Sequence, residues 1–185
     1  MGKHRWRAFN HDVQDGLHLP ENGARMLALL AGLLAMTAPS GGPPAPCNPS
    51  NLAISFDGKD GEFGGMSHSG TQMTVRSRGH AACLLAGLPT VSFRNAEGEP
   101  LPIGRKAPPG MHPGPVVLPV RLDPGATARA DLRWVSADVY ENGRCLKPTQ
   151  VTITLVGKRT TLPFAGTICG EAGKPATFEQ PPLTK

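Results

Sequence analysis

Residues 126–134 read Ala126-Thr127-Ala128-Arg129-Ala130-Asp131-Leu132-Arg133-Trp134. Ala126, Ala128, Ala130, Leu132 and Trp134 share one parity, and Thr127, Arg129, Asp131 and Arg133 share the other. Side chains alternate across a strand, so this segment predicts a strand with one apolar and one wet face. A helix would scatter the same residues around its axis. The preceding Asp123-Pro124-Gly125 carries turn chemistry, because proline fixes φ at one corner and glycine supplies positive φ at the next. The reading is of two antiparallel strands flanking that turn.

The same texture extends in both directions. Leu52, Ile54 and Phe56 alternate with Ala53 and Ser55. Met73 and Val75 form a second run, and Val91 and Phe93 a third. Val116, Leu118, Val120 and Leu122 form another, with Pro119 marking an edge or a bulge because it lacks a ladder donor. Val151, Ile153 and Leu155 lead through Gly157-Lys158-Arg159 into 161–168, a second hairpin. No helical stripe follows residue 50. The expectation is an all-β fold: a single immunoglobulin-like antiparallel β-sandwich of about seven strands, stapled by disulfides. Aromatics make up 5% of the chain, so its core must rest mainly on Val, Leu, Ile and Ala.

Upstream, Met26 to Met36 reads MLALLAGLLAM after Arg25, and Thr37-Ala38-Pro39-Ser40 follows. That length suits the apolar core of a signal peptide and is short of the ~18–20 residues of a membrane span. Residues 1–40 are thus read as a leader with its apolar region at 26–36. The polar, His-rich stretch before Arg25 leaves two readings. Either the true start lies nearer Arg25, which is favoured, or the leader stays uncleaved as a signal anchor and is the chain's one tie to the membrane. Residues 41–50 read as a Pro/Gly-rich linker, 51–170 as the sandwich, and 171–185 as a flexible tail. Gly104 to Pro115 reads as a long irregular loop.

Cys47, Cys83, Cys145 and Cys169 all follow the apolar stretch. An even count in an exported domain points to two disulfides and a secreted, periplasmic or cell-envelope location. Three connectivities are open. Cys145–Cys169 with Cys47–Cys83 is favoured, because the first pair brackets the second hairpin. Closing that loop stabilises by about 3 kcal/mol in the chain-entropy model.

An ordered set of elements carries a family resemblance. Gly64-Gly65-Met66-Ser67-His68 precedes a strand, and Cys83-Leu84-Leu85-Ala86-Gly87-Leu88-Pro89 leads to one ending in Asn95-Ala96-Glu97-Gly98. Leu122-Asp123-Pro124-Gly125-Ala126-Thr127-Ala128 and Leu132-Arg133-Trp134 come next. Cys145, Pro148 and Cys169-Gly170 close the pattern. From Cys47 to Gly170 this order resembles DUF4232, a domain of unknown function in exported bacterial proteins. Met66-Ser67 departs from it, since small residues are commoner before the histidine. The resemblance implies an exported, disulfide-linked β-sandwich. It carries no catalytic residue over.

The motifs of common chemistries are missing. There is no C-x-x-C, G-x-S-x-G, P-loop or dinucleotide fingerprint. The chain carries +5, and the leader's four basic and three acidic residues leave +4 beyond Ser40. Its Lys and Arg are scattered, which reads as a solvated surface without a nucleic-acid footprint. Asp57-Gly58-Lys59-Asp60-Gly61-Glu62 lacks EF-hand spacing and reads as a solvated loop. His68, in a Gly-rich turn, is the candidate binding residue; its plainer role is to fix that turn by bonding a carbonyl. Met66, His68, Met73, Met111 and His112 together would make a soft copper site, since thioether and imidazole suit Cu(I). Methionine more often fills core gaps. Trp134 reads as a core plug. The leading expectation is a non-enzymatic envelope binder, without cofactor, whose partner is an envelope protein or glycan. A copper-binding envelope protein comes second and an uncharacterised hydrolase third.

Overall fold

The computed structural model describes residues 42–110 and 117–185. The leader, with its apolar region, lies outside the described residues, as do Met111 and His112. Among the described residues, no helix is long and apolar enough to cross a membrane.

The protein is all-β. Its strands are β1 (Leu52–Asp57), β2 (His68–Ser77), β3 (Cys83–Leu85), β4 (Thr90–Arg94), β5 (Ile103–Lys106) and β6 (Val120–Leu122). They continue with β7 (Thr127–Val135), β8 (Arg144–Leu146), β9 (Gln150–Leu155), β10 (Lys158–Pro163), β11 (Ile168–Gly170) and β12 (Ala176–Glu179). One sheet runs β1-β2-β7-β12-β5 and a second β10-β9-β4, with the two-stranded pairs β11-β8 and β3-β6 completing the layers. The seven alternating runs of the sequence fall on β1, β2, β4, β6, β7, β9 and β10. The other five strands are three or four residues long, too short for periodicity to reveal.

β7 is central, and its inward residues Ala128, Ala130, Leu132 and Trp134 are all buried, as are Met73 and Val75 on neighbouring β2. Val91 and Phe93 of β4 and Val151, Ile153 and Leu155 of β9 supply the opposing layer. Phe93 joins the layers, with edge-on rings 5.2 Å from Phe178 and 5.0 Å from Phe164. Such pairs add about 0.5–1.5 kcal/mol beyond the area they bury. Three aromatic rings thus compensate for the low aromatic content at the centre of the core.

Several details differ from the sequence reading. The Asp123-Pro124-Gly125 turn forms, with the Ala126 amide donating to the Asp123 carbonyl at 3.0 Å. Its flanking strands do not pair with each other: β6 pairs with β3 and β7 with β2, so the turn carries the chain between sheets. The β9–β10 hairpin turns on Val156-Gly157, since Lys158 already faces Leu155. Of the described part of the run that begins at Val116, Val120–Leu122 is a strand, and Pro119 stands just before it. Gly104 to Lys106, expected as loop, belong to β5. Residues 42–50 are partly pinned: the Cys47 amide donates to the Leu84 carbonyl and the Leu84 amide to the Ala45 carbonyl.

The 171–185 segment is the largest correction, because it is no frayed tail. β12 pairs antiparallel with β7 and parallel with β5, the one parallel pair among these strands. Phe178, Gln180 and Leu183 are buried. The Thr184 amide and carbonyl both bond Arg129. Burial of Phe178 and Leu183 and the new ladder bonds outweigh the chain entropy that favours fraying.

Both cysteine pairs favoured by the sequence are bonded. Cys47 joins Cys83, and Cys145 joins Cys169, leaving no free cysteine. Cys145 and Cys169 stand directly opposite each other on β8 and β11. Disulfides of this kind fit an oxidising, extracytoplasmic environment.

Candidate functional site

The Gly64-Gly65 loop places an aromatic side chain on the outer face of the five-stranded sheet. Phe63 precedes the loop and is buried, although it lies outside the core between the layers. It covers Gly70 of β2, where a Cβ would stand 2.9 Å from the Phe63 Cβ and 2.5 Å from the Leu132 carbonyl oxygen. Glycine at 70 is the condition for this contact. The chain then returns through Ser67 and His68. The Gly65 amide donates to the His68 carbonyl at 3.0 Å, and the Ser136 amide to the Ser67 carbonyl at 2.8 Å. His68 fixes the turn through its backbone, so its ring is free of that task.

The ring itself is exposed and shares a hydrogen bond with the Ser67 hydroxyl at Nδ1, 3.1 Å away. Among the described residues no carboxylate bonds the imidazole to orient it, as the third member of a hydrolytic triad does. The copper set is described only in part. Met73 is fully buried in the core, Met66 is fully exposed, and Met111 and His112 lie outside the described residues. Among the described residues there is no group of three His, Cys, Asp or Glu side chains placed to hold a metal ion. Asp57 bonds the Lys59 amide and pairs with its ammonium, 3.5 Å away, so the acidic loop serves its own turn.

His68 does border a groove of about 280 Å³ on the outer face of the sheet. Strand register lays out its floor in two rows. In one, His68 faces Val135 across β2 and β7, and Thr177 faces Gly104 across β12 and β5. In the other, Gly70 faces Arg133, Arg133 faces Glu179, and Glu179 faces Lys106. Thr177 and Gly104 are small, which leaves a hollow among larger neighbours. Lys106 and Glu179 form an ion pair of 3.3 Å along one wall. Arg133 lies over the Phe63 ring, its guanidinium carbon 5.2 Å from the centroid. Trp134 is buried from below, as a core plug would be, and also lines the groove.

The sequence flags His68 but misses Arg133, Lys106 and Glu179 as its neighbours. Arg133 reads there only as the wet side of a strand. Glu179 falls in the supposed tail and Lys106 in the supposed loop. The signal that could have found the site is the Phe63-Gly64-Gly65 sequence with Gly70 in a strand, since an in-strand glycine marks close approach by another group.

No curated protein and no solved structure matches the chain. The model of a family described as a domain of unknown function, DUF4232, matches residues 47–182, well over half of the chain. That span includes both disulfides, the Phe63 platform and all but the last residues of the C-terminal segment, and the chain belongs to the DUF4232 family.

Proposed function

We propose that this is an exported, non-enzymatic recognition module of the cell envelope, which binds an envelope glycan or protein through the His68–Arg133 groove. The observation that carries this reading is the groove's construction. Its charged groups stand on the five-stranded sheet, and the Arg133 guanidinium lies over the Phe63 ring with no acidic partner among the described residues. Rigid placement lowers the ordering cost of binding, as recognition requires. Two disulfides suit a protein that works outside the reducing cytoplasm, and the apolar stretch at 26–36 suits its export.

The test is sedimentation of the secreted protein with purified wall polymer and with solubilised envelope proteins. The expected result is saturable binding to one fraction, weakened in a Lys106→Ala, Arg133→Ala double variant whose melting is unchanged. Saturable binding to neither fraction, or catalytic turnover of a bound polymer, overturns the reading.

A further inference from the structure

We infer that the groove takes an oxyanion-bearing glycan, a polysaccharide carrying carboxylate or phosphate groups, with Arg133 as its anion receptor. This rests on the binding role proposed above and names the ligand of that site. Among the described residues Arg133 makes no ion pair, although Glu179 faces it across the strands. Glu179 is instead engaged by Lys106. The guanidinium is therefore held by the Phe63 ring and keeps its planar fork of donors for a ligand, and such a fork matches the two oxygens of a carboxylate or phosphate.

The same face continues the pattern. Arg129 lies four residues back along β7, about 13 Å from Arg133 at strand spacing. Arg76 is diagonal to Arg129, since Thr74 is Arg129's direct partner on β2. Both arginines are exposed and make no ion pair among the described residues. Asp131 lies between the β7 arginines, and its carboxylate accepts a bond from Gln72 at 3.0 Å. A line of separated cations suits a chain with repeated anionic groups better than a single small anion.

A glycan fits this surface better than an acidic peptide. A bound extended peptide draws affinity from main-chain bonds to a free sheet edge and from pockets for alternate side chains. Most of the groove lies on a sheet face, where β7 is bonded to β2 and β12 and β12 to β7 and β5; Lys106 alone of its charged groups stands on the edge strand, β5. What remains are hydroxyls, a guanidinium, an ammonium and one carboxylate, a mixture of donors and acceptors that suits sugar hydroxyls beside an acid group.

The experiment is titration calorimetry of the full secreted chain with four probes. They are an oligouronate, the same oligomer with its carboxyls reduced to alcohols, a glycerol-phosphate oligomer, and a Glu-rich peptide. The expected result is binding of the oligouronate or the phosphate oligomer, salt-sensitive, and weakened by about tenfold or more in Arg133→Gln. Arg133→Lys restores part of the loss, because it returns the charge without the fork. Which oligomer binds identifies the source of the oxyanion. Equal binding of the reduced oligomer overturns the oxyanion assignment and leaves the recognition role standing. Binding of the peptide alone overturns the glycan assignment. Binding of none of the four overturns this inference, whereas the sedimentation test judges the binding role itself.

Discussion

Phe63 occupies the space that a side chain at Gly70 would need. A Cβ there would stand 2.9 Å from the Phe63 Cβ and 2.5 Å from the Leu132 carbonyl oxygen. The ring in turn lies under the Arg133 guanidinium, so one glycine in β2 sets the position of the groove's principal cation.

Gly70→Ala tests this chain of dependence. Leu132 belongs to the central strand and cannot retreat, so the ring or β2 must move. The expected cost is about 1–3 kcal/mol in urea unfolding, typical of overpacking. Ligand binding should fall further than stability predicts, because Arg133 loses its platform. A variant as stable as the parent, with unchanged binding, contradicts the account.

The C-terminal strand leads to a sharper outcome. Phe178 is fully buried and its ring lies 5.2 Å from that of Phe93. Phe178→Ala should cost about 3–5 kcal/mol. Ending the chain after Gly170 also strips β5 and β7 of their shared neighbour, and the expected product shows no cooperative melting transition. A true tail would tolerate both changes, and calorimetry separates the two cases.

The disulfides close segments of similar length, with sequence separations of 36 for Cys47–Cys83 and 24 for Cys145–Cys169. Chain entropy grows only with the logarithm of loop length, so each double Cys→Ala variant should lose about 3–4 kcal/mol. Denaturant unfolding of the two variants measures this. A loss confined to one pair would mean that the other is placed in a region already ordered in the unfolded chain.

Strong period-two segments made most of the architecture legible. β7 could be read residue by residue, because its inner face is uniformly apolar and its outer face is polar from Thr127 to Arg133. β12 could not. Ala176, Thr177, Phe178 and Glu179 offer a single large apolar residue, between proline-containing stretches that look like coil. Its strand state is imposed by β7 and β5 on either side, a tertiary effect that local pattern does not carry. The groove was hidden for a related reason. His68 was conspicuous beside its glycines, but Arg133, Glu179 and Lys106 are brought together by cross-strand register, across strands far apart in sequence.

Asp123 gives the fold a modest dependence on acid. Its carboxylate is bonded by the Arg121 guanidinium at 3.0 Å and paired with the Lys185 ammonium at 3.3 Å. The Arg121 bond first, then that of Lys185, holds its pKa below the ordinary 3.8. A carboxyl whose folded pKa is depressed adds stability that is fully present above the unfolded value and lost as pH falls through the folded one. Melting of Asp123→Asn should therefore trail the parent slightly at neutral pH and converge with it in strong acid. Salt should narrow the neutral gap, because both pairs are exposed. A gap that persists unchanged in strong acid would assign the effect to turn geometry.

Val156 is the clearest place where the chain is not optimised for stability. It sits at the first turn position of the β9–β10 hairpin with φ +47°, followed by Gly157 at φ +75°. Two successive positive φ values suit the right-handed twist of a two-residue hairpin, and Asn-Gly is the pair best adapted to them. A β-branched valine crowds its own backbone there, at roughly 1–2 kcal/mol for a left-handed residue. Val156→Asn keeps the turn and relieves that crowding. It also removes a partly exposed apolar group whose loss from the surface costs little. The expected gain is about 1 kcal/mol, seen as a higher urea midpoint with an unchanged slope. Val156→Gly should gain less, since added freedom in the unfolded chain offsets part of the relief. The order Asn above Gly above Val is specific to a left-handed site, and the reverse order would mean that the valine contributes through packing.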